Sequence, residues 1–122
     1  MIKKYDKLVR DNIPNLIAES GKIFGVTSAT GEELYNYRKK KVLEEIEELK
    51  EQVVNSEDTD KCIEELVDVI ETIWYYLYGY KFTQEDAKEL FLKAFGKREI
   101  NGAFDKNIIL KEVRDEGDLR NE

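Results

Sequence analysis

Ile63-Glu64-Glu65-Leu66-Val67-Asp68-Val69-Ile70-Glu71-Thr72-Ile73-Trp74-Tyr75-Tyr76-Leu77 is the stretch whose reading decides the fold. It has no glycine or proline, and its apolar residues recur with a helical period. Ile63, Leu66, Val67, Ile70, Ile73, Trp74 and Leu77 share one side, the expected core face. The other side carries Val69, Thr72, Tyr75 and Tyr76 beside Glu65 and Asp68. A helix apolar or aromatic nearly all round is expected to be buried on both sides. Carboxylates on a covered face must be paired, hydrogen-bonded or metal-bound.

Working outward, Asn55-Ser56-Glu57-Asp58-Thr59 is a polar break and Gly79 a stop, so this helix ends at about Tyr78. Upstream, Thr30-Gly31-Glu32-Glu33 fits a capping box, with Thr30 as cap and Glu33 reaching back. The long helix that follows runs to about Val54, with Val42, Leu43, Ile46, Leu49 and Val53 on its core side. The short link between the two helices implies an antiparallel pair.

Nearer the N-terminus, Lys7 to Pro14 starts extended and turns into a helix. Asp11 or Asn12 caps it, Pro14 sits in its first turn, and Ser20-Gly21 stops it. Residues 22–29 form an irregular or extended link. Thr83, with Asp86 three residues on, caps a further helix through Ala87, Leu90, Phe91, Ala94 and Phe95. Asn101-Gly102 is a turn, and Phe104 to Val113 contains an apolar run suited to a strand or hairpin arm. The expectation is an all-α antiparallel bundle built on two long helices, with a short extended segment or hairpin near the C-terminus. Residues 1–113 form a single domain and 114–122 a charged, frayed tail.

The 122 residues suit one ordinary domain. The charged fraction of 39% exceeds the usual one of about 25%, which points to long exposed helix faces. No run approaches the roughly 18 apolar residues of a membrane span, and no apolar stretch follows the basic start as in a signal peptide. A cytoplasmic location is expected. Cys62 is the single cysteine, which rules out an intrachain disulfide. The net charge of −7 argues against a nucleic-acid partner. Charge is uneven: residues 32–71 hold 14 acids against 6 bases, whereas residues 81–111 hold 7 bases against 5 acids.

The acids on the two long helices carry the chemistry. Glu45 and Glu48, like Glu65 and Asp68, are three apart and so neighbours on one helix face, away from the apolar stripes. Two like charges about 4 Å apart cost roughly 4 kcal/mol at an effective dielectric of 20. A hard divalent ion relieves that repulsion, and all-oxygen ligation favours Mg²⁺ or Mn²⁺ over zinc. With no histidine in the chain, Glu-x-x-His di-iron sites and histidine-based catalysis are excluded.

Glu44-Glu45-Ile46-Glu47-Glu48-Leu49, followed after a gap by Glu65-Leu66-Val67-Asp68, resembles the E-E-x-x-E…E-x-x-D signature of MazG-like nucleoside triphosphate pyrophosphohydrolases. That family belongs to the all-α NTP pyrophosphatase superfamily, with the phosphoribosyl-ATP pyrophosphohydrolases. Lys7-Leu8-Val9-Arg10-Asp11-Asn12-Ile13-Pro14 is similar to the N-terminal signature of a small-protein branch of that group. Lys97-Arg98 through Gly102-Ala103-Phe104 resembles the branch's C-terminal segment, with Ala103 replacing its second glycine. The resemblance implies that Glu45, Glu48, Glu65 and Asp68 hold Mg²⁺, with Glu44 as a further ligand or the base that orients water. Glu47 and Glu64 are left as surface charges. The implied reaction is Mg²⁺-dependent hydrolysis of a nucleotide at the α–β phosphate linkage. Lys7, Arg10, Lys93, Lys97 and Arg98 are candidate phosphate contacts, and Tyr75 and Tyr76 are candidates for stacking on the base. The alternative is a catalytically silent nucleotide sensor or interaction protein of the same fold. The two-sided apolar helix also predicts a homodimer or higher homo-oligomer.

Overall fold

The computed structural model describes residues 1–115 and 117. Its helices are α1 (Ile13–Glu19), α2 (Gly31–Asn55), α3 (Thr59–Tyr78) and α4 (Gln84–Asn101), and no strand occurs among the described residues. The chain is all-helical, as its periodicity predicts. It divides into two compact units, Met1–Phe82 with α1 to α3 and Thr83–Glu122 with α4. The tail expected over 114–122 lies mostly outside the described residues.

In the first unit, helix-on-helix packing is between α2 and α3. The link is short because both of its ends are capped locally. Ser56 Oγ accepts from the Asp58 amide at 3.1 Å, and Asp58 Oδ1 accepts from the amides of Asp60 and Lys61. These bonds satisfy donors that a helix start leaves open. At the other end of α3, Gly79 takes φ 75° and donates to Tyr75 O at 2.8 Å, the left-handed stop that glycine makes easily. The pair is antiparallel: Arg38, early in α2, reaches the carbonyls of Tyr75 and Tyr76, late in α3.

The packed face is the reverse of the one the hydrophobic stripes predict. Along α2, Arg38, Lys41, Glu45, Glu48 and Gln52 are all buried or half-buried. Along α3 the same holds for Cys62, Glu65, Val69, Thr72 and Tyr76. Both series step by three and four residues in turn, the spacing of a straight seam between two helices. The seam is largely polar. Among the residues expected in the core, Leu43, Ile46, Val53, Ile63, Leu66, Val67 and Leu77 are exposed. Val42, Leu49, Ile70, Ile73 and Trp74 are half-buried. Val69, placed on the non-core side by periodicity, is the only buried hydrophobic residue among those described. α3 is most closely covered on its carboxylate side, while its apolar side is covered only in part, at Ile70, Ile73 and Trp74. A hydrophobic stripe marks the surface a helix tends to bury, but α2 and α3 meet along the 3–4 stripe that runs through their acids.

Two expected caps differ. Thr30 precedes α2 but makes no side-chain cap bond, so the box with Glu33 does not form; Gly31 follows at φ 60°, an entry that leaves the Thr30 hydroxyl out of line with the first amides. Asn12 precedes α1, with Pro14 in the first turn, yet its side chain accepts from Asn15 Nδ2 at 3.0 Å instead of from the backbone.

In the second unit, Thr83 and Asp86 form the expected reciprocal capping box at 3.2 and 2.9 Å. α4 ends at Gly102, with φ 82°. The hairpin suggested for Phe104 to Val113 does not form. Residues 105–106 make a turn, Asn107 has φ 54°, and residues 107–115 carry no regular structure. Phe104, Ile108, Ile109, Leu110 and Val113 are exposed, and a single extended arm has no second strand to satisfy its backbone.

Candidate metal centre

The antiparallel register sets Glu45 of α2 against Glu65 and Asp68 of α3. Each of these three offers a carboxylate oxygen, and the three oxygens lie within 4.8 Å of one another. Glu44, Glu45 and Glu48 form a second group at the same spacing. Glu45 is common to both and is the most enclosed, 7% exposed. Apart from Glu44, which enters through the resemblance, the two groups are the acids that the i, i+3 pattern singles out, now joined across the seam. Glu47 and Glu64 are exposed, as expected of surface charges.

Charge balance at the cluster is incomplete. Lys41 Nζ lies 3.2 Å from Glu45 Oε1 and 3.5 Å from Glu44 Oε1. Lys7 Nζ lies 3.4 Å from the same Glu44 oxygen. Arg10 donates to Asp68 Oδ1 at 2.8 Å and to Glu71 Oε2 at 2.6 Å. Glu45 Oε2 and Glu65 Oε2, however, are buried without a hydrogen-bond partner. Burial pushes the Glu45 carboxyl above its usual range, Lys41 pulls it back, and Glu48 adds to the rise. The Arg10 guanidinium is held more firmly protonated by its bond to Glu71, with Asp68 adding to that and partial burial opposing it. An unpaired buried carboxylate oxygen costs several kcal/mol of lost solvation, roughly, unless a cation meets it. Two such oxygens, on facing helices and in an all-oxygen set, fit a hard divalent cation.

Above the cluster, Arg38 spans the seam. Its guanidinium donates to the carbonyls of Tyr75 and Tyr76 and lies 4.8 Å from the Tyr75 ring centroid. A cation on the last carbonyls of a helix satisfies open acceptors and opposes the negative end of its dipole. Tyr76 Oη is 2.7 Å from Tyr35 Oη, with ring centroids 5.3 Å apart, and that bond raises the pKa of the Tyr76 phenol. The two tyrosines singled out for base stacking are thus engaged with Arg38 and with the exposed Tyr35.

Lys7 and Arg10, singled out as phosphate contacts, are brought to the acids. Lys93, Lys97 and Arg98 lie exposed on α4 in the second unit, where the Arg98 guanidinium sits 4.7 Å from the Phe95 ring centroid. Sequence reasoning passed over Lys41, Glu71 and Arg38. Lys41 lies one helical turn before Glu45 and Glu71 three residues after Asp68, so the spacing that found the acids also reaches both. Arg38 lies a full heptad before Glu45. Comparison with known proteins returned no match: no family model, no curated protein and no solved structure.

Proposed function

We propose that this chain is a Mg²⁺-dependent nucleotide pyrophosphohydrolase of the MazG-like kind, cleaving the α–β linkage of a nucleoside triphosphate or related nucleotide to a monophosphate and pyrophosphate. The observation that carries the reading is the pair of unpartnered buried oxygens on Glu45 and Glu65 inside a shared carboxylate cluster. Glu45, Glu48, Glu65 and Asp68 would hold the ion, with Mn²⁺ an alternative occupant. Bound there, it would offset phosphate charge and make a coordinated water more acidic.

The chain's own residues supply the rest. Glu44, half-exposed at the edge of the cluster, orients the attacking water and accepts its proton. Lys7 and Arg10 lie beside the acids and supply positive charge for the phosphates. Lys93, Lys97 and Arg98 are further phosphate contacts by resemblance alone. The exposed apolar faces of α2 and α3 support a homodimer or higher homo-oligomer as the working form. No helix is long and apolar enough to cross a membrane among the described residues.

A silent nucleotide sensor is the second reading, and it draws on Lys7, Arg10 and Lys41 already neutralising part of the cluster. Pyrophosphate release from a panel of nucleoside triphosphates, with and without Mg²⁺, separates the two. Metal-dependent release by the wild type, abolished in Glu48→Ala, supports the enzyme. No release from any nucleotide, with Mg²⁺ still raising the melting temperature, favours the sensor. Neither release nor stabilisation by Mg²⁺ refutes the metal centre.

A further inference from the structure

The cations of the N-terminal segment do not extend into solvent. Lys7 pairs with Glu44, and Arg10 divides its fork between Asp68 and Glu71. Asp6 accepts a hydrogen bond from the Tyr37 hydroxyl, a third tether between this segment and the long helices. Two of the three tethers therefore end on acids of the metal cluster, and Arg10 holds Asp68 Oδ1, the carboxylate that closes the group with Glu45 and Glu65. The tethers are half-exposed, Arg10 at 53% and Lys7 at 40%, and exposed ion pairs are weak and easily exchanged.

From this arrangement we infer that Lys7 and Arg10 are a built-in substitute for the divalent ion, so that metal loading and release of the N-terminal segment form one linked equilibrium. The inference rests on the metal reading of the seam. A guanidinium and a divalent cation compete for Asp68, while the Lys7 ammonium on Glu44, next to the ligand Glu45, is repelled by an ion held in the cluster. Metal entering the cluster displaces the segment, and a docked segment weakens the metal, because linkage is reciprocal. Lys41, which pairs with Glu44 and Glu45, belongs to α2 and so is not part of the segment that is released. The displaced Arg10 carries a bidentate fork matched to phosphate oxygens. It becomes available beside the cluster only once metal is bound, so the ion itself readies the cations for an anionic substrate.

Manganese serves as the probe. Free Mn²⁺ is measured by electron paramagnetic resonance during titration of wild type, Arg10→Gln and Glu71→Gln, and trypsin cleavage after Lys7 and Arg10 is followed by mass spectrometry. Exchange predicts that Arg10→Gln binds Mn²⁺ about three- to tenfold more tightly, the effect of losing an exposed two-carboxylate pair. It also predicts that Mn²⁺ speeds release of the N-terminal peptide from the wild type. Glu71→Gln loosens Arg10 without altering Asp68, and it takes the place of Arg10→Gln if that variant does not fold. Unchanged or weaker Mn²⁺ binding in the variant, with cleavage unaffected by Mn²⁺, overturns the exchange and leaves the metal centre standing. A wild type that takes up no Mn²⁺ removes the metal centre and the exchange with it.

Discussion

Glu45→Gln is expected to stabilise the metal-free protein while abolishing its response to metal. Glu45 lies within 4.8 Å of carboxylate oxygens on Glu44, Glu48, Glu65 and Asp68. At that separation and an effective dielectric of 20, each repulsion is about 3.5 kcal/mol. Asp68 is already offset by Arg10 at 2.8 Å and Glu44 by Lys7 at 3.4 Å, which leaves two uncompensated repulsions, about 7 kcal/mol in all. Against this stands the attraction to Lys41 at 3.2 Å, about 5 kcal/mol on the same footing. Lys41 keeps Glu44 as a partner when Glu45 becomes neutral, so no cation is orphaned. The difference, reduced by solvent at the half-exposed partners, is a gain of about 1–2 kcal/mol. That corresponds to a rise of roughly 3–10 °C in melting temperature. In wild type, saturating Mg²⁺ at about 100 times its dissociation constant adds about 2.7 kcal/mol, an increment the variant loses. Thermal melts in a chelator and in Mg²⁺, with Glu47→Gln as the exposed control, test both halves. A variant less stable than the control in chelator, with an intact Mg²⁺ shift, would refute the reasoning.

Val67→Glu, on the outward apolar face of α3, should convert the proposed homo-oligomer to monomer while leaving the helical content of the α2–α3 pair in place, as read by light scattering and circular dichroism; a wild type that is already monomeric, or an unchanged mass, refutes it. Arg38→Ala removes two charge-assisted bonds to the carbonyls of Tyr75 and Tyr76 and should cost about 1.5–3 kcal/mol in denaturant melts, with Arg38→Lys recovering part of the loss. Thr83→Ala breaks a formed capping box and should cost about 1 kcal/mol, whereas Thr30→Ala, where no side-chain bond exists, should change stability by only a few tenths, about the scatter of a surface substitution.

Helix boundaries were legible in the sequence because they are written in local chemistry. The polar break before Thr59, the glycine at 79 and the Thr83/Asp86 pair each act within one turn of the chain, and each ends or begins a helix in the structure. The four acids were legible for the same reason, since i, i+3 spacing fixes a shared face without reference to any partner. Which face meets which helix was not legible. Leu43, Ile46, Leu66 and Val67 form the more hydrophobic stripe, yet the seam takes the Arg38–Lys41–Glu45–Glu48–Gln52 series and its α3 counterpart. The regular three-and-four step of those series was present in the sequence, but hydrophobicity weights it to nothing. Glu33 near Thr30 shows the converse, a correct pattern defeated by the backbone angle of the intervening Gly31.

The inverted packing bears directly on what stabilises the fold. A polar seam contributes little net free energy, because each charge loses water on entering it and regains about as much from its partner. Here even that balance is unmet, with polar atoms of Arg38, Glu45, Gln52 and Glu65 buried and unpartnered along the same seam. Ordering a residue costs about 1–2 kcal/mol in backbone entropy, and one buried valine cannot offset that over two long helices. The missing stabilisation has two available sources: apolar area on the outer faces, at about 25 cal/mol per Å² once covered, and a cation that satisfies the acids within. A second copy laid on the outward stripes would supply the first, and a divalent ion would supply the second. On the proposed reading, assembly and metal loading would draw on different surfaces of the same two helices, the outer stripes for the partner and the seam for the ion, so a substitution on one surface can be made without touching the other.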